Sequence, residues 1–498
     1  MNERNITSRP DSGTLLGQLN LSVSRPKPRP LEGPRKSRAA LRTGARACSL
    51  PLVSVVVAML LALVSARVGA QNPSSQIPRV ADGVGVRVGE RSVFHPGAAL
   101  TVGFDSNLFN ESRKAESPRS AAFMMPSIWW AVGNRPLRDG ILDSPATRTQ
   151  RRVDYYFGMV GGWRLYMHGE ERVRQAGKLN IGADGRIHIA PGRRFQLDID
   201  DTFRRMGEPR NFESAREYNF NHISNAVTLR TTLRPGGGRL AIVLGFRNEA
   251  LLFETPELVN GNRLIIGNET ELRYRVRDRS AFSARYSYMF NYFVSCCAEP
   301  GTGRNEDSHN YRFLLGYAGQ LGEKVVLDAF VGYGWGLYKD DFNGPDHKNT
   351  IGHVGLGYFP TTRTRLQVQF GREFNDSVFG NYYTDVGGHL YIRHILRSRT
   401  AATFGVGAIS RRTAGLPIPG QDTEEILGYT AGANFIRKDL LYTLNAALEQ
   451  PLGKYFVLGA KYSLAVDDTD FVVHYFSTRD DYGEFSRHML MLTASFRN

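Results

Sequence analysis

Apolar and polar side chains alternate one by one along most of the chain after Pro96. Residues 325–337 place an apolar side chain at every odd position. Residues 264–276 place four charges, from Glu269 to Arg275, on a single face. A two-residue period of this kind is typical of β-strands that have one apolar and one polar face. The pattern predicts a long series of antiparallel strands, and no comparable helical period follows residue 96.

The breaks between these segments are of two kinds. One kind is short and basic, as in residues 191–194, 234–239 and 361–363. The other is longer and acidic, as in residues 296–309 and 467–484. Short turns at one end of the strands and long loops at the other are typical of transmembrane β-barrels. We therefore expect the short turns in the periplasm and the long loops outside the cell.

The predicted fold class is all-β: a transmembrane, antiparallel, up-and-down β-barrel. Counting hairpins gives about 18 strands, within a range of roughly 16–20. A soluble β-protein such as a propeller is the alternative, but a propeller repeats a blade motif and the sequence shows none. Residues 120–150 and 413–439 are the hardest to assign. The second segment could hide a further hairpin, or fold inward and plug the lumen.

The start of the chain has a different character. Residues 1–49 are rich in Arg, Lys, Pro and Ser, and residues 52–66 form an apolar run of the length found in signal peptides. Small residues precede the expected cleavage site between Ala70 and Gln71, and an N-terminal membrane anchor is the alternative. The predicted parts are a basic extension with a secretory signal peptide over 1–70, a short periplasmic segment over 71–96, and an outer-membrane barrel over 97–498.

Charge and composition narrow the function. The chain has 498 residues and a formal net charge of +15, but residues 1–70 hold 11 Lys and Arg against three Asp and Glu and so carry +8 of it. The remaining +7 weakens any interpretation based on nucleic-acid binding. The 52 Gly and the 11% aromatic content suit many strands with aromatic residues near membrane interfaces.

The charged residues on the polar faces of the predicted strands form the candidate functional site. In a barrel these faces enclose the lumen, and cations and anions on neighbouring strands would make a wet lining of mixed charge. The predicted pore-lining residues are Arg164, Arg194, Asp198, Asp200, Arg230, Arg247, Glu249, Glu269, Glu271, Arg273, Arg275, Arg285, Asp328, Glu373, Arg393, Glu449 and Lys461.

Other chemistry has less support in the sequence. Cys296 and Cys297 are adjacent in a predicted outer loop, where a disulfide between them or a cross-link to a partner are the two interpretations. No Cys/His pair has the spacing of a metal site, so neither a metal nor a cofactor is predicted. No Ser/His/acid set or carboxylate pair can be assembled, so the chain is not expected to be an enzyme. Loop acids, among them Asp340 and Asp467, could bridge divalent ions to lipopolysaccharide or could simply be solvated.

Two segments resemble a known family. His95, Pro96 and Gly97 open an alternating strand that runs into residues 104–109 (FDSNLF), and the chain closes with another alternating strand that ends at Phe496. These segments resemble the β-barrel porin type 2 family of bacterial outer-membrane proteins. The resemblance implies an outer-membrane barrel. It also implies that Phe496 is the terminal aromatic residue recognised by the barrel-assembly machinery, although two residues follow it here.

The predicted location is the bacterial outer membrane. The expected partners are outer-membrane lipid, lipopolysaccharide, the barrel-assembly machinery and periplasmic components of an export or motility system; nucleic acid is not among them. Two functions fit. One is a porin-like channel for the passage or export of large polar solutes, with polysaccharide as the most specific candidate. The other is a non-conducting barrel that anchors an envelope-spanning machine, such as a motility or secretion apparatus, through its basic turns.

Overall fold

The fold is described by a computed structural model. It covers residues 85–89, 92–113, 118–134, 152–207, 220–254, 262–277, 279–294, 307–338, 346–377, 381–414, 436–469, 472–475 and 479–498. Within these residues almost all regular structure is β-strand. The one short helix is α1 (Glu171–Gln175), and Pro235–Gly237 forms a single 3₁₀ turn. No helix in the described ranges is long and apolar enough to cross a membrane.

Eighteen antiparallel strands form the wall, each paired with its neighbours along the chain. A short strand, β1 (Val86–Val88), pairs only with the start of the first wall strand. The wall consists of β2 (Ser92–Asp105), β3 (Ala121–Gly133), β4 (Val153–Trp163) continued by β5 (Leu165–Met167), β6 (Leu179–Ile189), β7 (Phe195–Met206), β8 (His222–Leu233), β9 (Leu240–Phe253), β10 (Arg263–Arg277), β11 (Ser280–Phe293), β12 (Ser308–Gln320), β13 (Val325–Tyr338), β14 (His347–Thr361), β15 (Thr364–Asp376), β16 (Tyr382–Ile395), β17 (Ala401–Ala414), β18 (Ile436–Leu452), β19 (Phe456–Thr469) and, after a small hairpin of β20 (Val472–Tyr475) and β21 (Arg479–Tyr482), β22 (Phe485–Arg497).

The first and last wall strands close the ring. β2 pairs with β22 from Gly97 opposite Arg497 to Asp105 opposite Met489. Strands β4 and β5 pair with β3 in one continuous register, so they occupy a single position in the ring and are separated only at Arg164. A closed ring gives every wall strand a partner on both sides, which lipid requires because it offers no hydrogen bonds. The predicted fold and strand number are confirmed.

The two ends of the ring differ in the length of their connections. At the end where β2 begins and β22 ends, β10 and β11 are joined by residues 278–279, and β14 and β15 by residues 362–363. At the opposite end, residues 415–435 separate β17 from β18. Each end has one exception: residues 134–152 make a long connection among the short turns, and residues 377–381 make a short one among the long loops. We call the short-turn end periplasmic and the other end extracellular.

The outer face of the wall is apolar. On β22, Leu490 and Leu492 leave half of their surface exposed, whereas the alternate residues Met489 and Met491 are buried. This is the arrangement that the alternating sequence predicts. Other exposed apolar side chains on the outer register are Leu100, Val102, Phe157, Met159, Leu229, Phe246, Phe313, Leu315, Val331, Leu356, Phe404 and Leu458. Such a belt fits the hydrocarbon layer of a membrane.

The inner face is not charged throughout, contrary to expectation. Leu108 and Phe109, which follow β2, and Val173 of α1 are buried with Phe123 and Met489 from the wall. Periodicity describes only strands, so it did not place these connecting residues inside. The apolar cluster fills part of the extracellular end of the ring, next to the pairing between β2 and β22.

Candidate functional site

The pairing register decides which side chains point into the ring. Asp198 lies opposite His188 and Arg230, and Asp200 lies opposite Arg186. All these residues alternate with apolar residues of the outer face. The predicted residues on this inward register are Arg164, Asp198, Asp200, Arg230, Arg247, Glu249, Glu269, Glu271, Arg273, Arg275, Arg285, Asp328, Glu373, Arg393, Glu449 and Lys461. Arg194 lies instead in the turn before β7. That these residues line a conducting pore stays a prediction.

Ion pairs join neighbouring strands β6 and β7 along the inner wall. Arg204 donates to Asp184 with a nitrogen–oxygen distance of 2.6 Å. Arg186 lies 3.4 Å from Asp200. His188 Nδ1 lies 2.7 Å from Asp198. The Arg186 side chain is 54% exposed, so it can meet solvent inside the ring.

A second set of ion pairs continues this pattern on β9, β10 and β11. Arg247 pairs with Glu249 on the same strand. Arg273 donates to Glu271 at 2.8 Å, and Arg285 reaches both Glu269 at 3.0 Å and Glu271 at 3.7 Å. Glu271 is buried beneath the two arginines. We call the ion-paired residues on the inner faces of β6, β7 and β9–β11 the lumen ladder; they are Asp184, Arg186, His188, Asp198, Asp200, Arg204, Arg247, Glu249, Glu269, Glu271, Arg273 and Arg285.

A different group of charges lies at the extracellular end of strands β16–β19, β22 and β2. Arg487 forms two hydrogen bonds with Asp105, and both side chains are fully buried. Arg411 donates both Nε and Nη2 to Asp385 at 2.9 Å. The first pair joins β22 to β2 across the closure of the ring, and the second joins β17 to β16. We call the group the seam network; its members are Asp105, Asp385, Arg411, Arg437, Asp439, Asp467 and Arg487.

Arg437 links the middle of the seam network. It donates to Asp439 at 2.7 Å and approaches Asp467 at 3.7 Å. Asp467 was predicted to be a solvent-facing loop acid, but it is fully buried within β19 and is not available to surface cations. Its two carboxylate oxygens accept no hydrogen bond from another described residue. Asp467 is therefore held far less firmly than Asp105.

Asn107 continues the seam network into the connection after β2. Its side-chain amide donates to the carbonyl oxygens of Glu111 and Ser486, at 2.7 and 3.1 Å, and its oxygen accepts from the Glu111 N–H. The Ser106 N–H donates to the His488 carbonyl. The segment FDSNLF thus anchors the chain at the closure of the ring, and sequence reasoning gave it no structural role.

At its extracellular end, β15 separates from β14 and bends inward together with the start of β16, although β16 stays paired with β17. β15 pairs with β14 only as far as Arg372, although β14 continues to His347. Beyond that point, the ring of Tyr382 stacks on Tyr338 of β13 at 5.8 Å and meets His347 edge-on at 4.9 Å. We call residues 373–376 and 382–385 the inward hairpin. By strand order, β15 lies one third of the way round the ring from β2, with five strands between them.

Asp376 fixes the inward hairpin to the inner wall. Its carboxylate accepts hydrogen bonds from Ser308 at 2.9 Å, Asn310 at 3.1 Å and Tyr338 at 2.8 Å, as well as one from Asn291. These donors come from β11, β12 and β13. One carboxylate therefore ties β15 to three strands beyond its neighbour β14.

Two glycines of β13 make room for the ring of Phe374, which belongs to the inward hairpin. The Phe374 ring stacks on His347 at 4.0 Å and lies under the Arg312 guanidinium at 4.9 Å. A Cβ atom at Gly334 would lie 2.5 Å from that ring, and one at Gly336 would lie 3.0 Å away. Only glycine lets the ring come so close to β13. Nothing in the period of the sequence predicted this arrangement.

The periplasmic mouth carries an excess of positive charge. Arg234 in the turn after β8 donates to the Arg193 carbonyl at 2.7 Å. Partial burial, together with repulsion from Arg273 and Arg275, lowers the pKa of Arg234 despite the opposing attraction of Asp198. The same turns that the sequence marks as basic therefore crowd cations around the opening.

Several predicted features are not decided by these contacts. Cys296, Cys297, Ala70 and Gln71 lie outside the described residues. Phe496 lies on the outer face at the periplasmic end, where it contacts Tyr455 and Phe456; its role as an assembly signal stays a prediction. The described ranges contain no group of three or more His, Cys, Asp or Glu placed to hold a metal ion.

The chain is similar in fold to solved outer-membrane porins. OpdK of Pseudomonas aeruginosa, solved with vanillate, is 10% identical, with 81% of this chain and 99% of OpdK covered and a TM-score of 0.40. OpdQ of the same organism is 9% identical, with 82% of this chain and 98% of OpdQ covered and a TM-score of 0.41. A BenF-like porin from Pseudomonas fluorescens Pf-5 is 11% identical, covers 81% and 99%, and also scores 0.41. No family model and no curated protein matches the chain.

The closed ring, the apolar belt and the unequal ends are together decisive. This chain is a β-barrel of the bacterial outer-membrane type. Its inner wall combines a partly exposed lumen ladder with three groups of residues at the extracellular end: the apolar cluster, the seam network and the inward hairpin.

Proposed function

We propose that the barrel is a passive channel that lets small polar and charged solutes cross the outer membrane. The observation that carries this proposal is the lumen ladder. Its ion pairs span five of the wall strands, and its arginines keep between 12% and 54% of their side chains exposed. Partly exposed, paired charges keep water inside a barrel and give a solute charges of either sign to contact.

The size and chemistry of the solute form the finer part of this proposal. Export of large solutes, with polysaccharide as the specific case, was the expectation from sequence. The inward hairpin and the apolar cluster both occupy space inside the described barrel. The side chains that the lumen ladder presents to a solute are ionic. These features favour small charged solutes over neutral sugar polymers.

Conductance across a planar bilayer tests the channel proposal. The folded protein should give stable ohmic currents. A triple variant in which Arg186, Arg247 and Arg285 are each changed to Glu should shift the reversal potential in a salt gradient towards cation selectivity. A second variant that lacks residues 415–435 controls for obstruction by that connection. Absence of current from both the full chain and this deletion would reject the proposal.

Membership of the β-barrel porin type 2 family is also a proposal. It rests on the FDSNLF segment, and the contacts of Asp105 and Asn107 explain why such a segment would follow a first barrel strand. Replacing Asp105 with Asn should slow the appearance of the heat-modifiable folded band during refolding into detergent. Refolding at the normal rate would leave the segment without the role on which the resemblance depends.

A non-conducting anchor is the second candidate, and the basic turns favour it. Arg193, Arg194, Arg239 and Arg363 are exposed at the periplasmic end and could contact an acidic partner. Changing these four residues to Ser should abolish co-purification of a defined periplasmic partner while leaving conductance intact. Unchanged co-purification would count against docking through the turns.

A further inference from the structure

An apolar groove lies on the outer face of the barrel, near its periplasmic end. It has a volume of ≈ 450 Å³ and spans β16 to β19 and the edge of β22. That volume lies within the range of small-molecule and cofactor sites. Because the groove faces lipid and not the lumen, it lies outside the site described above.

Small and large side chains alternate across these strands and so create the groove. At one level of the wall, Ala446 lies between Phe404 on β17 and Tyr462 on β19. At the next level the order is reversed, with Leu448 between Ala402 and Ala460. The alanines form the floor, and the larger side chains form the rim. A hydrogen bond of 2.8 Å between the Tyr462 hydroxyl and His488 fixes part of that rim.

The turn at the periplasmic end of the groove has an unusual backbone. Arg399, between β16 and β17, has a φ of 66°. This is the left-handed region, where a residue with a side chain is strained. In other short turns the same conformation is taken by glycine, as at Gly192, Gly322 and Gly453. Glycine would be the less costly residue here too, so the arginine side chain is the feature that needs an explanation.

Hydrogen bonds fix the backbone of this turn, which joins the two strands that line one side of the groove. The Arg399 N–H donates to the Leu396 carbonyl at 3.0 Å, and the Leu396 N–H donates to the Thr400 carbonyl at 2.9 Å. Thr400 also donates to Gln450 on β18, the strand that forms the middle of the groove. Arg397 and Arg399 are both exposed. The turn therefore presents two exposed cations at the periplasmic end of the barrel, and Arg399 is only three residues along the chain from Ala402 of the groove.

We infer that this groove binds one anionic phospholipid of the periplasmic leaflet. An acyl chain lies along Ala446 between Phe404 and Tyr462, and the phosphate is bound by Arg399 with Arg397 beside it. Arginine suits a phosphate because its planar guanidinium donates two parallel hydrogen bonds. Neither the groove nor the strained turn alone assigns a ligand, but together they match both halves of a phospholipid.

Native mass spectrometry with added dioleoylphosphatidylglycerol tests this inference. The wild-type barrel should retain one lipid per chain under activation that strips the bulk detergent. Arg399→Gly removes the charge and the backbone strain together, so it should weaken retention about tenfold while the barrel stays as stable as before. Ala446→Leu fills the floor of the groove and should weaken retention to a similar extent. Dioleoylglycerol, which has the same chains but no phosphate, should not be retained by the wild type.

Two matched variants serve as controls. Arg193→Gly removes an arginine from a turn remote from the groove, and Ala494→Leu enlarges an exposed outer-face alanine outside it; both should retain the lipid. A heat-dependent gel shift confirms that every variant is folded. Equal retention by the wild type, Arg399→Gly and Ala446→Leu would overturn the site. Loss in only one of these two variants, or equal retention of dioleoylglycerol, would overturn the two-part binding mode.

Discussion

The seam network and the lumen ladder use the same chemistry in different surroundings. In both, an acid and a base on one strand or on neighbouring strands form ion pairs on the inner face of the barrel. In the seam network these side chains are at most 9% exposed, and Arg487 and Asp105 are not exposed at all. In the lumen ladder Arg186 is half exposed. Burial, and not the type of residue, therefore separates charges that brace the wall from charges that can meet a solute.

Arg487→Met should produce the largest effect. It keeps the apolar stem but leaves Asp105 as a buried charge without its cation, which costs about 3–5 kcal/mol. The urea midpoint for loss of the heat-modifiable band should fall accordingly. Asp467→Asn is the matched control, because its carboxylate lies 3.7 Å from Arg437 and accepts no hydrogen bond from the described residues. Equal destabilisation by the two variants would contradict the importance of the Asp105 contacts.

Asp376→Asn should have the next largest effect. The NH2 group of the amide would face the donor groups of Ser308, Asn310 and Tyr338 and could not accept their hydrogen bonds. Leaving buried donors unpaired costs about 1–3 kcal/mol. We expect release of the inward hairpin and a larger, noisier single-channel conductance. Gly334→Val, which displaces the Phe374 ring, should change the conductance in the same direction. If neither variant alters the conductance, the hairpin does not shape the conducting path.

Arg186→Glu should change selectivity far more than stability. Exposed ion pairs contribute roughly 0–1 kcal/mol, so the urea midpoint should barely move. In a salt gradient, the cation-to-anion permeability ratio should rise on the order of twofold. In water, a single charge on the lumen wall changes the energy of a passing ion by about 1 kcal/mol or less. Arg186→Lys keeps the charge and should leave selectivity unchanged. A stability loss as large as that of Arg487→Met would erase the distinction between the two regions.

Arg113→Ser should have the smallest effect. Arg113 pairs with Asp468 at 3.1 Å, but the two side chains are 43% and 59% exposed. Surface changes of this kind usually shift the free energy of unfolding by no more than about 0.5 kcal/mol. The same urea titration should show no resolved difference from the wild type, and selectivity should also be unchanged. A clear shift in either property would mean that exposure does not rank these pairs.

Alternation in the sequence was enough to predict the barrel and the side of the wall on which most charges lie. Glu269, Glu271 and Arg273 were assigned to one inner face from period alone, because a strand that keeps its register cannot move them elsewhere. The inward hairpin escaped this reasoning because β15 leaves the register of β14 after Arg372. The contact between Asp105 and Arg487 escaped it because the two residues are 382 positions apart. The helix α1 is too short to show a helical period.

The pairing of β2 with β22 makes completion of the barrel depend on the wall strand that the ribosome adds after all the others. A transcript with a premature stop codon before Phe485 would yield seventeen wall strands with two open edges, and Asp105 would have no arginine to meet. Such a product exposes unpaired backbone along its full height, which marks it for periplasmic proteolysis or aggregation. The protein thereby carries its own check that translation has passed the last wall strand.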